Sequence, residues 1–71
     1  MPEMYATPES SNVAEIGYDD QAQEVYVTFL SGRSYAYMNV PAIVWEEFRN
    51  APSKGTFVNT VLKPGYGYRP A

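Results

Sequence analysis

Three stretches in which apolar and polar residues alternate, followed by two with helical spacing, organise this chain. From Asn12 to Tyr18, Ala14, Ile16 and Tyr18 alternate with Val13, Glu15 and Gly17, which predicts a first strand presenting those two sets on opposite faces. Asp19-Asp20 ends it, because aspartate side chains bond their own backbone in turns. A second strand runs from Glu24 to Leu30, with Val25, Val27 and Phe29 on one face and Glu24, Tyr26 and Thr28 on the other. After Ser31-Gly32 a third strand spans Arg33 to Met38.

The loop between the second and third strands admits two registers. A two-residue Ser31-Gly32 loop pairs Leu30 with Arg33 and gathers Tyr26, Tyr35 and Tyr37 on the face opposite Val25, Val27 and Phe29, a tyrosine platform suited to stacking. A three-residue Leu30-Ser31-Gly32 loop, with Gly32 in the left-handed region, pairs Phe29 with Arg33, Val27 with Tyr35 and Val25 with Tyr37, which makes both tyrosines part of the core face. The second register is favoured, since a one-residue slip spreads the apolar groups over both faces.

Val40-Pro41 opens a helix to Asn50, with proline at the first helical position, where its missing N–H costs nothing. Val44, Trp45 and Phe48 form its apolar stripe. Trp45 is open to two roles, an exposed anchor for a protein partner or a partly buried member of that stripe, and the second is favoured. Ala51-Pro52 ends the helix, and Ser53 is a natural N-cap for a second one, Lys54 to Leu62, with Phe57, Val58, Val61 and Leu62 as its stripe and Pro64-Gly65 as its stop. The tail Tyr66-Gly67-Tyr68-Arg69-Pro70 fits an edge strand or an irregular lid. The opening residues, with Pro2 and Pro8 and no periodicity, read as a flexible leader over 1–11, leaving 12–71 as a single domain. The expected fold is therefore α+β, a three-stranded antiparallel meander packed against two short helices, with the tail as a candidate fourth strand.

With 71 residues, the core is thin and must draw on aromatic side chains. Cysteine and histidine are absent, which removes thiol nucleophiles, the usual zinc ligands and the side chain best suited to proton transfer near neutral pH, so a non-catalytic protein without metal or cofactor is expected. Glu46-Glu47 and Asp19-Asp20 do not change this, the first pair pointing apart on a helix and the second having turn composition. No apolar run reaches the roughly 20 residues of a membrane span and no base precedes Arg33, so a cytoplasmic protein without membrane contact is expected. The net charge of −3 is uneven: residues 1–30 carry −6 and residues 31–71 carry +3. Such asymmetry either builds a basic face on an acidic protein or is mixed away in space.

The order of signals from Asn12 to Pro70 resembles the KTSC domain, a small bacterial module found at the C-terminus of some lysyl-tRNA synthetases and alone. The residues that carry the resemblance are Ile16-Gly17-Tyr18-Asp19, Val25-Tyr26-Val27-Thr28-Phe29 with Ser31-Gly32, Tyr35-Ala36-Tyr37, Val40-Pro41, and Ala51-Pro52-Ser53-Lys54-Gly55 with Phe57 and Asn59. The resemblance implies a compact domain without an established biochemical role, for which the synthetase context suggests RNA binding.

Two constellations suit such a ligand. Ser53, Lys54 and Gly55 place a hydroxyl, an ammonium and a residue permitting close approach at a helix start, where free N–H groups favour a phosphate; a capped helix with a solvated lysine is the plainer alternative. Arg33, Lys63 and Arg69 with Tyr66 and Tyr68 combine bases that grip phosphates with rings that stack on nucleobases; the plainer alternative is core tyrosines and surface cations. Asn59 fits a base contact or a local hydrogen bond. The expected function is a binding module for RNA or another phosphate-bearing ligand, and the rival is a protein-interaction domain using a sheet edge or the Trp45 side.

Overall fold

The hairpin at Gly32 sets the register on which the sheet is built. In the computed structural model, which describes residues 3–71, Gly32 has φ +95° and its N–H bonds the Phe29 carbonyl at 2.9 Å. Phe29 N–H in turn donates to Arg33 O at 2.8 Å, so the loop is Leu30-Ser31-Gly32, the three-residue form with a left-handed glycine. The strands are β1 (Met4–Ala6), β2 (Val13–Asp19), β3 (Glu24–Phe29), β4 (Ser34–Tyr37) and β5 (Tyr68–Pro70). They form one antiparallel sheet in the order β1-β2-β3-β4-β5. Val25 pairs with Tyr37 and Val27 with Tyr35, which puts both tyrosines on the inner face.

Five strands exceed the expected meander of three with the tail as a candidate fourth. The tail supplies β5, with Tyr35 opposite Pro70 and Tyr37 opposite Tyr68. The remaining strand comes from the segment read as a leader, where Met4, Tyr5 and Ala6 pair with Gly17, Ile16 and Glu15. Three residues flanked by prolines show no periodicity of their own; the free edge of β2 orders them, and Thr7 locks the end by donating its hydroxyl to Val13 O at 2.8 Å and its N–H to Ala14 O at 3.0 Å. Met1 and Pro2 lie outside the described residues.

Strand β2 also departs from strict alternation. Its pairing with β3 shifts between Val13 and Glu15, and this bulge turns Val13 inward beside Ile16, although the two differ by an odd number of positions. Val13 thereby joins the face of Ile16 instead of the opposite face that strict alternation gives it. Asp19 closes the following turn as expected, its Oδ1 accepting from Gln21 and Ala22 N–H at 3.1 and 3.2 Å.

The helical segments lie between β4 and β5 and cover the inner face. They are α1 (Ala42–Arg49), α2 (Lys54–Phe57), a π-helical turn (Val58–Leu62) and α3 (Lys63–Gly65). Pro41 is the N-cap of α1 rather than its first helical residue. The core joins Val13, Ile16, Val25, Val27 and Tyr37 of the sheet to Val40, Trp45, Phe48, Val58 and Leu62. The second helical run continues through Pro64 instead of stopping before it. Two features loosen its α pattern: Thr60 bonds its hydroxyl back to Thr56 O at 2.7 Å, and Pro64 has no N–H for the carbonyl four residues before it.

Candidate nucleic-acid interface

The cations of the two candidate constellations are dispersed. Ser53 caps α2, accepting from Thr56 N–H at 3.2 Å and donating to Thr56 Oγ1 at 2.9 Å. Lys54 is only 8% exposed and its Nζ donates to Ala51 O at 2.6 Å, tying the turn between α1 and α2. Gly55 is buried because the Asn12 side-chain amide lies where a Cβ would stand. All three residues of this segment are therefore engaged in starting the helix. Arg69 alternates with Tyr68 along β5 and lies on the outer face of the sheet, paired with Glu24 at 2.9 Å. The Tyr26 hydroxyl donates to the same Glu24 oxygen at 2.8 Å, which pushes its phenol above the usual range. Tyr66 is half-buried against the core, and Arg33 is exposed just before β4.

Tyr68 and Lys63 do meet. A cleft of 180 Å³ opens between the inner face of β4–β5 and the π-helical turn. Tyr35, Tyr37 and Tyr68 form its sheet wall with Phe29, and Val58, Asn59 and Lys63 form its helical wall. The Tyr68 ring lies edge-on to Tyr35 at 5.6 Å and tilted to Tyr37 at 5.7 Å, while staying 54% exposed. Tyr37 is 2% exposed, and burial pushes its phenol up, helped by the neighbouring Tyr68 and Tyr35 phenols. No side-chain oxygen or nitrogen of the described residues is both buried and unpartnered, and the Tyr37 hydroxyl makes no hydrogen bond among them. Its tip is therefore not fully enclosed, and Tyr37 lines the cleft.

The helical wall supplies the polar groups. Asn59 makes no side-chain hydrogen bond, and Lys63 no ion pair, among the described residues. Both are exposed, and they belong to the stretch where the helix widens, Asn59 within the π turn and Lys63 directly after it. Such turns recur where a helix must aim side chains at a site. Stacking surfaces, an amide able to donate and accept, and a free ammonium are the chemistry that single-stranded nucleic acids engage.

A family profile described as the KTSC domain matches residues 9–66. The chain belongs to the KTSC domain family. A lysine–tRNA ligase from Trichormus variabilis is 39% identical over 61 residues, covering 86% of this chain and 11% of that enzyme. This chain thus spans about a tenth of the length of the tRNA ligases it resembles. A protein from Tsukamurella paurometabola is 38% identical over 58 residues, covering 82% of this chain and 87% of its own length. The crystal structure of a KTSC domain protein from Yersinia pestis is similar with a TM-score of 0.92 at 28% identity, covering 100% of this chain and 99% of the other.

In this KTSC domain the central Tyr35-Ala36-Tyr37 places two phenols on the cleft wall, with Ala36 on the opposite face of the sheet. From sequence those tyrosines read as core, and Asn59 fits a base contact or a local bond. The i, i+4 spacing of Asn59 and Lys63 was the available signal, one that any helix also produces by chance. Trp45 is 6% exposed and stacks on Tyr18 at 5.5 Å, as a member of the core. Among the described residues no helix is long and apolar enough to cross a membrane.

Proposed function

We propose that this KTSC domain is a non-catalytic, cytoplasmic module that binds single-stranded RNA in the tyrosine cleft. A base stacks on the exposed Tyr68 ring, Asn59 and the Tyr37 hydroxyl contact its edge, and Lys63 takes a flanking phosphate. The observation that carries this is the convergence of three phenol rings with an amide and an ammonium that have no partners among the described residues. The cleft lining contains no carboxylate to repel a phosphate. Relatives named lysine–tRNA ligase place similar domains in enzymes that act on an RNA.

Protein docking at the β5 edge has less support. Ala71 N–H bonds Ser34 O at 2.9 Å, so the outward amide positions of the strand are Tyr68 and Pro70, and the second has no N–H, which leaves one donor for an added strand. Fluorescence anisotropy with a short single-stranded RNA tests the proposal. Tyr68→Ala should weaken binding by about 1–3 kcal/mol, the usual worth of one stacked base. Lys63→Ala should weaken it most at low salt. Binding indifferent to both substitutions would refute the assignment.

A further inference from the structure

The cleft does not end at Tyr35. Tyr35 also lines a second, more open groove of 370 Å³, together with Gly32, Arg33, Ser34, Pro70 and Ala71. Tyr35 is thus shared between the two concavities. Strand alternation puts Arg33, Tyr35 and Pro70 of that lining on the cleft's face, while Ser34 and Ala71 belong to the other. Residues 33, 35 and 37 point to one face, and Tyr68 and Pro70 stand opposite Tyr37 and Tyr35 on that same face. The Phe29 N–H to Arg33 O bond extends the ladder one position beyond β4, so Arg33 starts on the inner face beyond the end of the regular strand. Its side chain is exposed and forms no ion pair among the described residues.

We infer that Lys63 and Arg33 mark the two ends of one track that holds two phosphates of a single strand, with Tyr35 between them as the shared stacking surface. This rests on the RNA-binding role proposed above and adds its extent and polarity: one cation from the helical wall, one from the hairpin, and no contribution from Arg69 across the sheet. Each phosphate neutralised on a single strand contributes about 0.7 to the slope of log affinity against log salt. Two contacts give a slope near −1.4 by the same relation.

The experiment is anisotropy of a labelled short oligouridylate against the whole chain at several salt concentrations, with Arg33→Gln, Lys63→Gln and Arg69→Gln. All three positions are exposed, so the variants keep the core, and circular dichroism confirms their fold. The track requires Arg33→Gln and Lys63→Gln each to flatten the slope by about 0.7, and Arg69→Gln to leave it unchanged. If Lys63→Gln flattens the slope and Arg33→Gln does not, the two-phosphate track is overturned while RNA binding in the cleft stands. An equal effect of Arg69→Gln would also overturn it, since general charge would then account for the slopes. Absence of binding by the unaltered chain at low salt overturns both the track and the role on which it rests.

Discussion

Lys54 shows how local bonding can withdraw a charge from function. It follows the N-cap Ser53, where an anion would be welcome, yet its ammonium serves as a strut to the Ala51 carbonyl. Lys54→Met should keep the fold at a cost of about 0.5–1.5 kcal/mol in urea denaturation and leave RNA affinity nearly unchanged. Tyr18 is a second strut, its hydroxyl donating to the buried Val40 carbonyl at 2.7 Å. Tyr18→Phe leaves that acceptor empty and should cost about 1–3 kcal/mol by the same measurement. Burial also raises the Tyr18 and Tyr37 phenols above their ordinary 10.0. A phenol raised on folding holds its proton more tightly in the native state, so its contribution is complete below the unfolded value and is lost as pH rises through the folded one. Stability should thus be flat on approaching pH 10 and fall beyond it, more gently in Tyr37→Phe.

At the level of elements, the edge strand β1 depends on Gly17. A Cβ at that position would meet Met4 Sδ at 2.5 Å and the Glu3 carbonyl oxygen at 2.8 Å, and the second contact is backbone that yields only if the strand moves. Gly17→Ala should loosen β1, speed hydrogen exchange at Thr7 N–H and cost about 1–3 kcal/mol. That dependence also explains why β1 was illegible in the sequence: its order comes from a neighbouring edge and not from its own pattern. The hairpin register was legible, because Val25, Val27 and Phe29 had to share a face and only the three-residue loop lets Tyr35 and Tyr37 join them. The cleft was half legible. Tyr68 and Lys63 stand in the sequence among a wider set with Arg33, Arg69 and Tyr66, of which only these two share the cleft, and the π turn that carries Asn59 has no sequence periodicity to announce it. Strand alternation then separated Arg69 from Tyr68, a division that only a strand assignment of the tail makes visible.

Across the whole molecule, the meander converts charge order along the chain into charge order in space. Because sheet order follows sequence order, the unpaired acids of residues 1–30 gather towards β1 and β2, while Arg33, Lys63 and Arg69 belong to the β4–β5 side. Arg49 and Lys54 remain beside β1, where Arg49 covers the Tyr5 and Trp45 rings at 5.8 and 5.9 Å. A chain of net charge −3 can in this way present a cleft without carboxylates to an anionic partner. The most direct test is nuclear magnetic resonance titration of the chain with short single-stranded RNA at two ionic strengths. The account predicts shifts confined to Tyr35, Tyr37, Asn59, Lys63 and Tyr68, with Arg33 joining them, large at low salt and reduced at high salt. Shifts centred instead on Ser53 and Lys54, on the outer face around Tyr26 and Arg69, or nowhere at low salt would contradict it.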